Sequence, residues 1–84
     1  MVMAKTMELR VVAPEGDVFK GQVSRVSLPG SKAPFVVLPG HAPIISSLED
    51  GQIDYTTTAG QSGSIEIGGG FVEVRANTIT VCTE

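Results

Sequence analysis

The chain has 84 residues, enough for one domain, and a chain this short buries only about two-thirds of the surface its unfolded form exposes. Six basic against nine acidic residues give a formal net charge of −3, which argues against nucleic-acid binding and gives no reason for direct attraction to anionic lipid. Cys82 is the only cysteine, so no internal disulfide can form and a reducing compartment is expected.

The opening "MVMAKTMELR" holds no long apolar run of the signal-peptide kind. Residues 1–6 are expected to be a frayed N-terminus, and nothing along the chain approaches the roughly 20 apolar residues of a membrane-spanning helix. From Met7 the dominant period is two. Met7, Leu9 and Val11 alternate with Glu8 and Arg10, as in a strand with one buried and one wet face. Pro14 to Asp17 reads as a turn, with Gly16 free to take a positive φ. Val26 and Leu28 alternate with Arg25 and Ser27, but Val23 lies three residues before Val26. One extra residue near Ser24 and Arg25, a β-bulge, would restore the register.

"VVLPGHAPII", Val36 to Ile45, carries two prolines, a glycine and the only histidine. Pro39, Gly40 and Pro43 set a stiff corner, with Leu38, Ile44 and Ile45 expected to anchor it in the core. Ser46 and Glu49 match a capping-box spacing, but Pro43 before and Gly51 after leave room for at most one helical turn. Glu49 and Asp50 read as a solvated turn, since they lack the ligand spacing of a calcium loop. Ile53 and Tyr55 flank Asp54, Ile65 and Ile67 flank Glu66, and the polar stretch Thr56 to Ser64 between them reads as a hairpin loop with ragged strand ends. Gly68-Gly69-Gly70 lacks the Lys-Ser/Thr of a phosphate loop and runs into the strand Phe71 to Val74. Gly69 and Gly70 are therefore read as steric, a sharp bend or a close backbone approach. Ala76-Asn77 lies between two alternating runs as a tight hairpin turn would, with Asn77 tolerating the left-handed region. Ile79 and Val81 then face inward and Cys82 outward.

The whole chain, 1–84, reads as a single all-β domain without substantial helix. No catalytic set is visible. His41 has no second histidine or paired cysteine to share a metal and no recognisable nucleophile to serve, so neither a metal nor a cofactor is expected. Cys82 has no sequence-adjacent cation to activate it. Such a chain works by binding.

Three segments in order carry a resemblance: "LRVVAPEGDVFKGQVSRVSLPG" (Leu9 to Gly30), "VVLPGHAPIISSLEDGQIDY" (Val36 to Tyr55) and "GGFVEVRANTITV" (Gly69 to Val81). Together they resemble the N-terminal domain of the epsilon subunit of F-type ATP synthase, from about Met7 to Cys82. The resemblance implies a flattened antiparallel β-sandwich of about ten short strands. It implies a non-catalytic rotor subunit of the central stalk, on the cytoplasmic face of the membrane, with the gamma subunit and the polar loops of the c-ring as partners. Ser31, Lys32, Ala33, Pro34, His41 and Ala42 would then face the c-ring, and Ala13 and Ser46 would face gamma. Ala33-Pro34 stands where the family often has a Gly-acid pair, so Lys32 would reverse the local sign. The family's C-terminal helical hairpin would begin after Glu84; a chain ending there is expected to couple the rotor without braking ATP hydrolysis. The alternatives are a free-standing β-sandwich binding carbohydrate or peptide, and a small enzyme. The first should display aromatics, yet there is no Trp and only Phe19, Phe35, Tyr55 and Phe71; the second lacks a nucleophile, base and acid.

Overall fold

A computed structural model describes residues 6–84; of the N-terminal stretch expected to fray, only Thr6 lies inside that range, exposed and outside any strand. The described residues form six strands: β1 (Met7–Ala13), β2 (Gly16–Leu28), β3 (Phe35–Val37), β4 (Ile44–Thr57), β5 (Ser62–Arg75) and β6 (Thr78–Thr83). Ser46 to Glu49, where one helical turn could have fitted, lies inside β4, and Glu49 and Asp50 are exposed strand residues instead of a turn. Pairing across the sheet decides the conformation there, since Ser46, Ser47 and Leu48 all pair with β5.

Hydrogen-bonded neighbours run β1-β6-β5-β4-β2-β3, and β1 also pairs with β2, which closes a ring of five strands and leaves β3 at an edge. The ring is flattened into two layers by strands that change partner halfway. The first half of β2 pairs with β1 and its second half with β3 and β4. The first half of β5 pairs only with β4, and from Gly70 onward it also pairs with β6. One layer holds the first half of β4, the second half of β5, then β6, β1 and the start of β2; the other holds the remaining halves and β3. The expected ten short strands are thus six, because β2, β4 and β5 each serve both layers. The expected all-antiparallel pairing has one exception, β1 with β6, which are parallel from Glu8↔Thr78 to Val12↔Cys82.

Two bulges and one glycine adjust the ring. Against β4, Val23 pairs with Thr57 and Arg25 with Thr56, so Ser24 is the extra residue and both Val23 and Val26 face the core. Its Oγ donates to the Thr56 carbonyl at 3.4 Å. A second, unanticipated bulge lies where Val11 pairs with Phe19 and Val12 with Asp17, which leaves Val18 unpaired and exposed. Gly70 has φ +140°, and a Cβ there would overlap the Cys82 carbonyl oxygen, so β5 and β6 approach more closely than any side chain allows.

The core between the layers is aliphatic. Met7, Leu9 and Val11 meet Val23, Val26, Leu28, Val37, Ile53, Val72, Val74, Ile79 and Val81, each nearly or wholly inaccessible. Burial of such side chains contributes about 1.5–3 kcal/mol each relative to exposure. No polar or charged side chain is buried among the described residues, so no hydrogen-bonding demand competes with packing there. Phe19 and Tyr55 close one flank of the core, ring centroids 4.6 Å apart.

Candidate interaction surface

The proline corner has a defined geometry. His41 N–H donates to the Leu38 carbonyl at 3.1 Å, with Pro39 second and Gly40 third at φ +85°. That is a type II turn, in which the third residue must take a positive φ. Gly40 N–H points away from the turn and donates to Asn77 Oδ1 at 2.8 Å, so the corner is tied to the β5–β6 hairpin. His41 is partly buried, and its Nδ1 lies 2.7 Å from the Ala42 carbonyl. A carbonyl only accepts, so Nδ1 carries the proton and Nε2 remains for another contact. The expected anchoring by three apolar residues holds only for Ile44, which packs against the core. Leu38 is 51% exposed as the first residue of the turn, and Ile45 is 77% exposed because strand alternation turns it outward next to Ile44.

The loop before β3 lies along the edge of β4. Ser31 N–H donates to the Ser47 carbonyl at 3.0 Å, Glu49 N–H to the Pro29 carbonyl at 2.8 Å, and the Ser47 and Ser31 hydroxyls are 3.0 Å apart. Ser31, Lys32, Ala33 and Pro34 are all exposed. The structure therefore hangs both loops, Ser31–Pro34 and Leu38–Pro43, on the first half of β4, and brings Ser31 beside the neighbour of Ser46. Ala13 lies elsewhere. Ser46 ends the row Val11–Val81–Val72–Ser46 across four strands, and Ala13 is two residues beyond Val11, so three strand spacings, about 14 Å, separate their strands.

The two outer faces differ. On the layer built around β6, Val12 pairs with Cys82 and Cys82 with Phe71. Cys82 is exposed, Phe71 is 61% exposed and Ile45 is also exposed on this face, while the bulged Val18 lies at the end of the sandwich beside Ala13, Gly68 and Thr83. Polar neighbours on this face include Arg10 with Asp17 at 3.6 Å and Lys20 with Glu8 at 3.8 Å. The opposite outer face carries Arg25, Ser27, Gln52, Asp54, Ser62, Ser64 and Glu66, with Val36 at its edge. Phe71 and Ile45 thus make the face around β6 the more apolar of the two, with Val36 exposed at the edge of the other. Neither Ile45 nor Phe71 stood out in the sequence as a contact residue. The available signal was phase: Phe71 falls on the wet positions shared by Glu73 and Arg75.

Glu15, Asp17, Glu66 and Glu84 line a shallow cleft of about 500 Å³ beside Ala13, but among the described residues no three His, Cys, Asp or Glu side chains converge in a way that could hold a metal ion.

A closed β-sandwich of six strands, with one loop bonded to the edge of β4 and another to the β5–β6 turn, defines a small all-β domain. The chain belongs to the family described as ATP synthase, Delta/Epsilon chain, beta-sandwich domain, whose model matches residues 6–84. It is 48% identical over 82 residues to the ATP synthase epsilon chain of Desulfitobacterium hafniense and 35% identical over 82 residues to that of Wolinella succinogenes, covering 98% of this chain in both cases. It spans 61% and 63% of those relatives' lengths. The fold is also that of a chain in the Euglena gracilis mitochondrial ATP synthase OSCP/F1/c-ring structure, with TM-score 0.89 at 18% identity over 99% of this chain and 53% of that one.

Proposed function

We propose that residues 1–84 act as one non-catalytic module of the rotor of an F-type ATP synthase, joining the gamma subunit to the c-ring. Such a subunit is a peripheral part of the membrane-bound complex, on its cytoplasmic face. Ser31, Lys32, Ala33, Pro34, His41 and Ala42 are assigned to the polar loops of the ring, and Ala13 and Ser46 to gamma. The observation that carries the reading is the family match over residues 6–84, supported by the exposed Phe71 and Ile45 on one outer face. A torque-bearing link needs stiffness, and a closed ring of strands around a close-packed aliphatic core resists deformation. The carbohydrate-binding alternative loses its platform: Phe19 and Tyr55 pack on each other, Phe35 is partly buried against the core, and Phe71 alone is well exposed.

The test is gel filtration of the chain mixed with an ATP synthase gamma subunit at low and moderate salt. A stable complex is expected, and separate elution under both conditions overturns the reading.

A further inference from the structure

The β5–β6 turn breaks its own local rule. Ala76 and Asn77 both take positive φ, +51° and +61°, and they join strands paired at Arg75↔Thr78. This is the two-residue hairpin turn that favours Asn at its first position and Gly at its second. Here the second position carries Asn, where Gly would be less strained. Local violations of this kind persist when another part of the structure benefits. The beneficiary is visible: Asn77 Oδ1 accepts the Gly40 N–H at 2.8 Å, across 37 residues of sequence.

We infer that Asn77 is a positioning residue, whose side-chain amide fixes the Leu38–Pro43 turn and so sets where His41 is presented. The type II turn holds its own shape through the His41 N–H to Leu38 bond, but that bond does not fix where the turn sits on the sandwich. The Gly40–Asn77 hydrogen bond does, by fastening the turn to a hairpin whose strands run into the buried Val74 and Ile79. Glycine at position 77 would suit the hairpin and release the corner, so hairpin comfort and loop placement are opposed at this one residue. The consequence for partner binding rests on the rotor reading of His41 and Ala42.

The experiment compares the full chain with Asn77→Gly and Asn77→Asp, the second keeping the Oδ1 acceptor and a residue that tolerates the left-handed region. Amide exchange of Gly40 is followed by NMR, thermal melting by circular dichroism, and affinity for a gamma–c-ring assembly by titration. Asn77→Gly is expected to melt at or above the wild-type temperature, to exchange the Gly40 amide about three- to tenfold faster, as loss of one hydrogen bond allows, and to bind a few-fold more weakly. Asn77→Asp is expected to restore slow exchange and binding. A purely structural role would instead lower stability and binding together. Equal Gly40 exchange in wild type and Asn77→Gly overturns the positioning role, as does faster exchange with unchanged affinity. If the wild type itself binds nothing, the rotor reading fails, while the exchange comparison still decides whether Asn77 holds the loop.

Discussion

Ile45 and Phe71 are diagonal neighbours on adjacent strands. Ile45 pairs with Glu73, two residues along β5 from Phe71, and both side chains are mostly exposed. At diagonal spacing, aromatic and long aliphatic side chains are within reach of each other, so one partner surface can cover both. Aromatic anchors in covered interfaces commonly contribute about 2 kcal/mol or more when truncated. Phe71→Ser is therefore expected to weaken binding to the gamma subunit by roughly thirtyfold, and Ile45→Ser by less. Neither variant should change folding stability by more than about 0.5 kcal/mol, because neither side chain belongs to the core. Titration calorimetry and thermal melts measure the two quantities separately. Unchanged affinity in both variants would show that this face is not the gamma-binding surface.

Gly70 and Gly40 both have positive φ but different surroundings. Around Gly40 a Cβ would meet nothing within 4 Å, whereas at Gly70 it would overlap the Cys82 carbonyl. Gly40→Ala should cost only the backbone penalty, about 1 kcal/mol. Gly70→Ala adds the separation of two paired strands and is expected to exceed it by about 2 kcal/mol or more. Urea unfolding of the two variants gives the comparison; equal midpoints would mean that β5 and β6 part more easily than their pairing implies.

Within the corner, Gly40→Val should destabilise by about 1–3 kcal/mol, since a β-branched residue is strained at φ +85°. His41→Ala should cost about 0.5 kcal/mol or less: the ring makes one local hydrogen bond, to the Ala42 carbonyl, and is only partly buried. Circular dichroism melts rank the two, and the reverse order would mean that His41 is a structural residue.

The parts of this fold that could be read from sequence were those set by neighbours in the chain. Alternation at Met7–Val11 and at Ile79–Val81 put the right side chains inside, and the three-residue step from Val23 to Val26 required an extra residue where the bulge at Ser24 occurs. The Ala76-Asn77 turn was legible for the same reason. Strand number was not, because Gly51 and Gly68–Gly70 look like breaks in the sequence, while β4 and β5 run through them and change layer. The parallel β1–β6 pair joins the two ends of the described chain, and its register follows from closing the ring. Asn77 read only as a turn residue, since its bond to Gly40 is non-local. Ile45 was taken as an anchor because two adjacent isoleucines do not reveal which one the strand turns inward.

The bulge at Ser24 offers a sharp test of that register. Ser24 contributes little through its own atoms: the hydroxyl makes one long bond, to the Thr56 carbonyl, so Ser24→Ala should cost no more than about 1 kcal/mol. Its backbone is another matter. Deletion of Ser24 would put Val23 and Val26 two residues apart in a strand that must still meet β1 on one side and β4 on the other. Residues two apart in a strand share a face, so Val23 and Val26 would both still point into the core, and Val23↔Thr57, Arg25↔Thr56 and Val26↔Tyr55 would run on as a regular antiparallel ladder. What the deletion removes is the bend and added twist of the bulge, so its cost lies in how β2 passes from β1 to β4 and is expected to stay within about 3 kcal/mol, below the 5–15 kcal/mol that stabilises an ordinary domain. Both the deletion variant and Ser24→Ala are expected to keep cooperative melting, the deletion at the lower temperature. Loss of cooperative melting in the deletion variant would mean that the ring cannot close without the bend that the extra residue supplies.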